Sequence, residues 1–381
     1  MTRTLDILER LVSFPTVSHT SNLDLIDWTQ NLLTTAGFEV TRIPAPCGTK
    51  AGLHAQIGPA GAGGICLSGH TDVVPTEGQA WTRDAFKMTR DRSRVYGRGT
   101  TDMKGFVASA LALAERVDAS DLTAPLSLIL SYDEEIGCVG LRDMLPALTP
   151  LLGQPRLVIV GEPTLMQVAT AHKGKVSLQV RCKGEAGHSA LAPQFLNAIH
   201  VAADFVTEVR ALQDELAKSP RDPAFKIPYT TLHIGKINGG RALNIVPDHV
   251  TLDMEFRHLA VTRPQQVFEA IRSAARRVEA QYSRSELIDV TQTGGYPGLS
   301  HQMAAETIAL TQRLLDNPAT TQVEFGTEAG YFAELGLDVV VIGPGDMARD
   351  GHKPDEGLDI ADLAACDAMM DRIFALLKGA G

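Results

Sequence analysis

Two histidines and a group of carboxylates stand just beyond apolar runs of this chain, and together they have the makings of a metal centre. His70 and Asp72 follow the run 65–68 (ICLS), Glu134 and Glu135 follow 126–132 (LSLILSY), Glu162 follows 157–160 (LVIV), and His352 lies in the loop after 339–342 (VVVI). Asp102 precedes an Ala- and Leu-rich stretch, 103–117, that reads as a helix with Asp102 at its N-cap. Nitrogen and oxygen donors without cysteine suit zinc, cobalt or manganese and an open, catalytic site. Asp102, with both oxygens free, is placed to bridge two ions; such a pair, roughly 3.5 to 4 Å apart, activates water and stabilises an oxyanion. The neighbouring acids project differently, so Glu135 is assigned to metal and Glu134 to proton transfer. Asp72, two residues from His70, is expected to accept the other imidazole N–H and fix the tautomer. Singly, each is an ordinary loop residue; the reading rests on the set.

The elements that must position these residues alternate strand and helix through the first third of the chain. That pattern is α/β: a mainly parallel sheet with helices on both faces, whose ligands bind beyond the carboxyl ends of the strands. After Gly174 the texture changes. Residues 175–183 (KVSLQVRCK) and 250–257 (VTLDMEFR) alternate like half-exposed antiparallel strands, 230–238 is a further strand, and 197–216 and 264–281 are amphipathic helices. This stretch reads as a small inserted α+β domain. The last segment returns to the first texture, with a helix at 303–315 and the strand 339–342. A chain of 381 residues is long for one core; the expected division is a catalytic domain of 1–174 and 290–381 carrying an inserted domain of 175–289.

Composition narrows the function classes. Hydrophobic residues are 44% and charged residues 21% of the chain, as in a globular protein, and a net charge of −10 without a basic run argues against nucleic acid. Five cysteines, odd in number and without C-x-x-C spacing, point to reduced thiols and a cytoplasmic location. Residues 4–12 form an amphipathic helix pattern and not a signal segment, and no window holds the roughly 20 apolar residues that span a bilayer. The stretch 97–105 matches neither phosphate-loop pattern. There is no G-x-S-x-G elbow or local Cys-His signature of a serine or cysteine hydrolase.

Five motifs extend the reading: GHTDVVP (69–75), GRGTTDMKG (97–105), SYDEEIG (131–137), GEPT (161–164) and GHKPDE (351–356). In order and spacing they resemble the dinuclear-zinc family that contains acetylornithine deacetylase, succinyl-diaminopimelate desuccinylase, carboxypeptidase G and aminoacylase, over nearly the whole chain. The resemblance implies two divalent ions, zinc with cobalt as the alternative. It places His70, Asp102 and Glu162 on one and Asp102, Glu135 and His352 on the other, with Glu134 as general base. It also implies that the insertion is a lid and the surface of a homodimer. His188 in GEAGHSA (184–190) would enter the partner subunit's site and stabilise the oxyanion. Asn244 in ALNIVPD (242–248) and Arg257 in MEFR (254–257) match positions that contact substrate, the guanidinium offering the paired geometry a carboxylate needs. The segment FGTEAGYFAELG (325–336) resembles the acetylornithine deacetylases more than the desuccinylases. The implied substrate is N2-acetyl-L-ornithine, cleaved to L-ornithine and acetate in arginine biosynthesis, with Glu328 against its side-chain ammonium. Lys353 departs from the Gln often found there in deacetylases. Another N-acyl amino acid or a dipeptide is the alternative substrate on the same site.

Overall fold

The computed structural model describes residues 2–218, 220–300, 303–315 and 319–379. The chain divides into two compact units, a larger one of residues 1–171, 301–323 and 327–381, and a smaller one of 172–300 and 324–326.

In the larger unit the apolar runs are strands buried on both faces. An eight-stranded sheet runs in the order Glu39–Pro44, Ala51–Ile57, Leu126–Ser131, Ile65–His70, Leu157–Val160, Val339–Val341, Val168–His172, Thr320–Val323. Its four central strands, from Leu126–Ser131 to Val339–Val341, are parallel. Antiparallel pairing flanks them, so the expected mainly parallel α/β sheet is present with antiparallel margins. Strands covered from both sides need continuous Val, Ile and Leu, as these have. Alternate residues serve opposite faces: Leu53 and Ala55 join the core around helix Gly105–Ala114, while Gly52 lies beneath Met144 of helix Val139–Leu152. Helix Gly105–Ala114 is buried along its whole length between Thr2–Val12 and Ile360–Leu377. Among the described residues no helix is long and apolar enough to cross a membrane, and all five cysteines are free.

Two local features differ from the sequence expectation. The helix after Asp102 begins at Gly105; residues Thr100–Lys104 form a distorted turn in which Asp102 has φ −120° and ψ 94°. Asp102 is therefore no N-cap, and its side chain faces histidines instead. A three-stranded sheet of Thr89–Arg90, Arg94–Tyr96 and Gly357–Asp359 also forms, too short and polar for an apolar-run signal.

The smaller unit has a four-stranded antiparallel sheet in the order Thr231–Gly239, His249–His258, Gly174–Lys183, Ile288–Tyr296. Alternation along its strands buries Val176, Leu178, Val180 and Cys182 beside Val250, Leu252, Met254 and Phe256. Helices Ala198–Leu216 and Pro264–Gln281 cover them.

Candidate metal centre

The carboxyl ends of the central strands converge. His70 ends strand Ile65–His70, Glu162 follows Leu157–Val160, and Glu134 and Glu135 lie in the turn beyond Leu126–Ser131. His70 Nδ1 lies 2.9 Å from the carbonyl oxygen of Asp72. A carbonyl only accepts, so Nδ1 carries the proton and Nε2 is left facing Asp102 Oδ1 at 3.1 Å and Glu162 Oε1 at 3.6 Å. The other oxygen of Asp102 is 3.1 Å from His352 Nε2, which is 3.0 Å from Glu135 Oε2. Two triplets result, His70–Asp102–Glu162 and Asp102–Glu135–His352, each with ligand atoms within 4.8 Å of one another and with Asp102 common to both.

The electrostatics are those of a site built for cations. Burial, then repulsion from Asp102, lifts Glu162 well above the carboxylate range and Glu135 to about 7. Burial also lifts Glu134, with Glu135 and Glu328 adding to it. Hydrogen bonds to Asp102 and Glu135 push His352 up to about 10. Burial opposes ionisation of Asp102 too, but the facing imidazoles of His352 and His70 overcome it and hold the group low. Several carboxylates gathered out of water against two imidazoles are a costly arrangement unless a cation joins them. The donor chemistry, the shared Asp102 and the Nε2 atoms turned toward carboxylates fit a pair of divalent ions.

Glu134 belongs to neither triplet. It is buried, and its Oε1 accepts a hydrogen bond from the Cys138 thiol at 3.1 Å. Asp72 departs from expectation. The imidazole proton goes to its carbonyl, whereas its carboxylate, 3.6 Å from Nδ1, accepts the backbone N–H of Glu134 at 3.0 Å and of Glu135 at 3.3 Å, and the Ser18 hydroxyl at 2.7 Å. Its side chain thus braces the turn that carries both acids. Glu328 is only 1% exposed and lies against Ser131, with burial lifting it to about 7. It is an interior group of the larger unit, near enough to Glu134 to raise that acid as well.

The remaining expected site residues lie in the smaller unit. Strands Gly187–His188 and Ile245–Val246 pair, and the Ser189 N–H donates to the Asn244 carbonyl at 3.1 Å, so the loops of His188 and Asn244 meet. His188 is exposed, its Nδ1 accepting the Ala190 N–H at 3.1 Å. Arg257 is near the far end of strand His249–His258, roughly 27 Å along it at the rise of such a strand. Glu255 at 2.8 Å and the Tyr296 hydroxyl at 2.6 Å hold its guanidinium. One further residue, Glu356, is buried against the Asp102 turn; in the sequence nothing separates it from the other acids of GHKPDE.

The profile of peptidase family M20/M25/M40 matches residues 66–375. Acetylornithine deacetylase of Myxococcus xanthus is 35% identical over 380 residues, 98% of this chain and 97% of that protein. The enzyme of the same name from Proteus mirabilis is 33% identical over 377 residues, covering 97% and 95%. Among solved structures, an M20 family metallo-carboxypeptidase from Sulfolobus solfataricus superposes with a TM-score of 0.79 at 18% identity, covering 99% of this chain and 100% of that one. A dinuclear metal binding peptidase of the M20 family from Bacillus subtilis gives 0.71 at 17% identity, covering 100% and 99%.

Proposed function

Because the chain belongs to peptidase family M20/M25/M40, we propose that it is a metal-dependent amidohydrolase that cleaves N2-acetyl-L-ornithine to L-ornithine and acetate. The observation that carries the hydrolytic reading is Asp102, whose two oxygens each face one imidazole at 3.1 Å. The substrate reading is supported by the acetylornithine deacetylases, alike over nearly the full chain. His70, Asp102 and Glu162 would hold one ion and Asp102, Glu135 and His352 the other, with zinc as the metal and cobalt as a working substitute. When bound, such ions polarise the acyl carbonyl and make an attacking water more acidic.

The chain's own groups then handle the protons. Glu134 takes a proton from the attacking water as its oxygen bonds to the acyl carbon. The C–N bond breaks and Glu134 delivers that proton to the departing nitrogen, giving the carboxylic acid and the amine; the acid then loses its remaining proton to solvent, leaving acetate. Asp72 keeps Glu134 in place by accepting its backbone N–H. The resemblance assigns His188 to the oxyanion and Asn244 and Arg257 to the substrate. Glu328 is the acid of this set for the ornithine ammonium.

In the same reading the inserted domain, 175–289, is a lid through which the chain forms a homodimer. Its exposed edge strand Thr231–Gly239 and the exposed apolar side chains Ile199, Ile237 and Leu243 support this. A biosynthetic enzyme of this kind belongs in the cytoplasm. The test is ornithine release from N2-acetyl-L-ornithine before chelation, after it, and after zinc is restored. Activity that disappears and returns supports the reading, and activity indifferent to chelation refutes it.

A further inference from the structure

Glu356 takes no part in either ligand triplet, yet few side chains of the larger unit are as fully engaged. It is buried, as is Arg98 beside it. Its Oε2 accepts from Arg98 Nη1 at 2.7 Å and from the Gly99 N–H at 2.9 Å; Oε1 accepts from the Thr101 N–H at 2.9 Å and the Asp102 N–H at 3.1 Å. Arg98 in turn donates from Nη2 to Gln79 Oε1 at 2.5 Å and lies 5.0 Å over the Trp81 ring, and Gln79 Nε2 donates to the His352 carbonyl at 2.9 Å. A continuous set of hydrogen bonds therefore runs from the backbone of Asp102, through Glu356, Arg98 and Gln79, to the backbone of His352.

Those two residues are 250 apart in sequence, and a working site must hold their side chains to about 0.5 Å of the productive geometry. A buried ion pair is a weak means of stabilising a fold, since well-packed apolar residues do as well or better. Its strength is geometric. Each oxygen here receives two donors, an arrangement only a carboxylate can satisfy.

We propose that Glu356 is a positioning residue of the metal centre. It gathers the N–H groups of the turn 99–102 and, through Arg98 and Gln79, the loop of His352, and so sets the spacing of Asp102 and His352 around the ion they share with Glu135. The inference rests on reading the two triplets as a dinuclear centre. Glu356→Gln must place an amide NH2 against donors whichever way it turns, so it frees the turn while hardly changing volume. Glu356→Asp keeps the charge for Arg98 but shortens the reach to Asp102.

The experiment titrates zinc into the apo forms of wild type, both Glu356 variants and Met370→Ala, a cavity variant in the buried core. Occupancy is followed by competition with a chromophoric chelator, and the fold by circular dichroism and thermal unfolding. Wild type should bind two zinc ions. Glu356→Gln should bind the second 10- to 100-fold more weakly, with a smaller change at the first, and Glu356→Asp should fall between. Met370→Ala should lower Tm while leaving both affinities unchanged. A second zinc bound as in wild type by the Glu356 variants overturns the inference, and so does an equal loss in Met370→Ala. If Glu356→Gln does not fold, Glu356→Asp decides alone. A wild-type chain that binds no zinc refutes the underlying metal-centre reading, a distinct failure.

Discussion

At the residue scale, sequence neighbours occupy different settings. Glu134 and Glu135 are adjacent, but only Glu135 reaches a histidine of the triplets. Replacing Glu134 by Gln should leave both zinc ions in place and lower kcat by about 10²- to 10⁴-fold, the usual contribution of a positioned acid–base group; metal analysis beside steady-state kinetics separates the two effects. Asp72→Asn should act otherwise. It offers an amide where the N–H groups of Glu134 and Glu135 now point, so kcat falls through misplacement of the turn and partial zinc loss accompanies it. The convergence of these histidines and acids beyond the strands was legible in the sequence because strand ends in an open α/β sheet share one edge. The task of Asp72 was not. Whether a carbonyl or a carboxylate meets the imidazole depends on the path of the chain over two residues, which spacing does not fix. Glu356 was hidden for a similar reason, since its burial follows from the packing of segments 97–102 and 351–357, distant in sequence.

At the scale of elements, close approach explains the glycine that precedes Glu162. A Cβ on Gly161 would lie 2.0 Å from ring atoms of Phe106, on the buried helix that starts just after Asp102. Gly161→Ala should therefore lower stability by about 1–3 kcal/mol, as overpacking does, and weaken zinc binding, both readable from unfolding of the apo and metal-loaded forms. The same sheet carries a pH signature. Burial lowers His54 of strand Ala51–Ile57 to about 4 from an ordinary value of 6.5. The unfolded chain takes up that proton first as pH falls, so the contribution is intact above pH 6.5 and is lost between 6.5 and 4, at up to about 1.4 kcal/mol per pH unit. His54→Leu should flatten the decline of apo-protein Tm across that interval; an unchanged slope contradicts the assignment. Buried strands were readable as apolar runs, and those of the smaller unit as alternation. The start of the helix near Asp102 was misjudged because a carboxylate ahead of an apolar stretch looks like a cap. Here the turn Thr100–Lys104 leaves helical geometry and the side chain faces two imidazoles.

At the scale of the molecule, each unit has its own hydrophobic cluster, one on a face of the eight-stranded sheet and one on a face of the four-stranded sheet. Strand Thr231–Gly239 lies at the edge of the four-stranded sheet with Ile237 56% exposed, and the proposed homodimer would cover it. If the homodimer forms there, light scattering will give twice the chain mass of 40.9 kDa, and Ile237→Lys will shift the species toward monomer with its fold retained. The substrate is the property least visible in any single motif, because it depends on surfaces assembled from separate segments. The direct measurement is kcat/KM of the zinc-loaded enzyme for N2-acetyl-L-ornithine beside N-acetylmethionine, N-succinyl-diaminopimelate and a dipeptide. Acetylornithine should exceed each of the others by at least about tenfold, the discrimination a few specific contacts supply; a higher value for any of the others rules out acetylornithine as the preferred substrate.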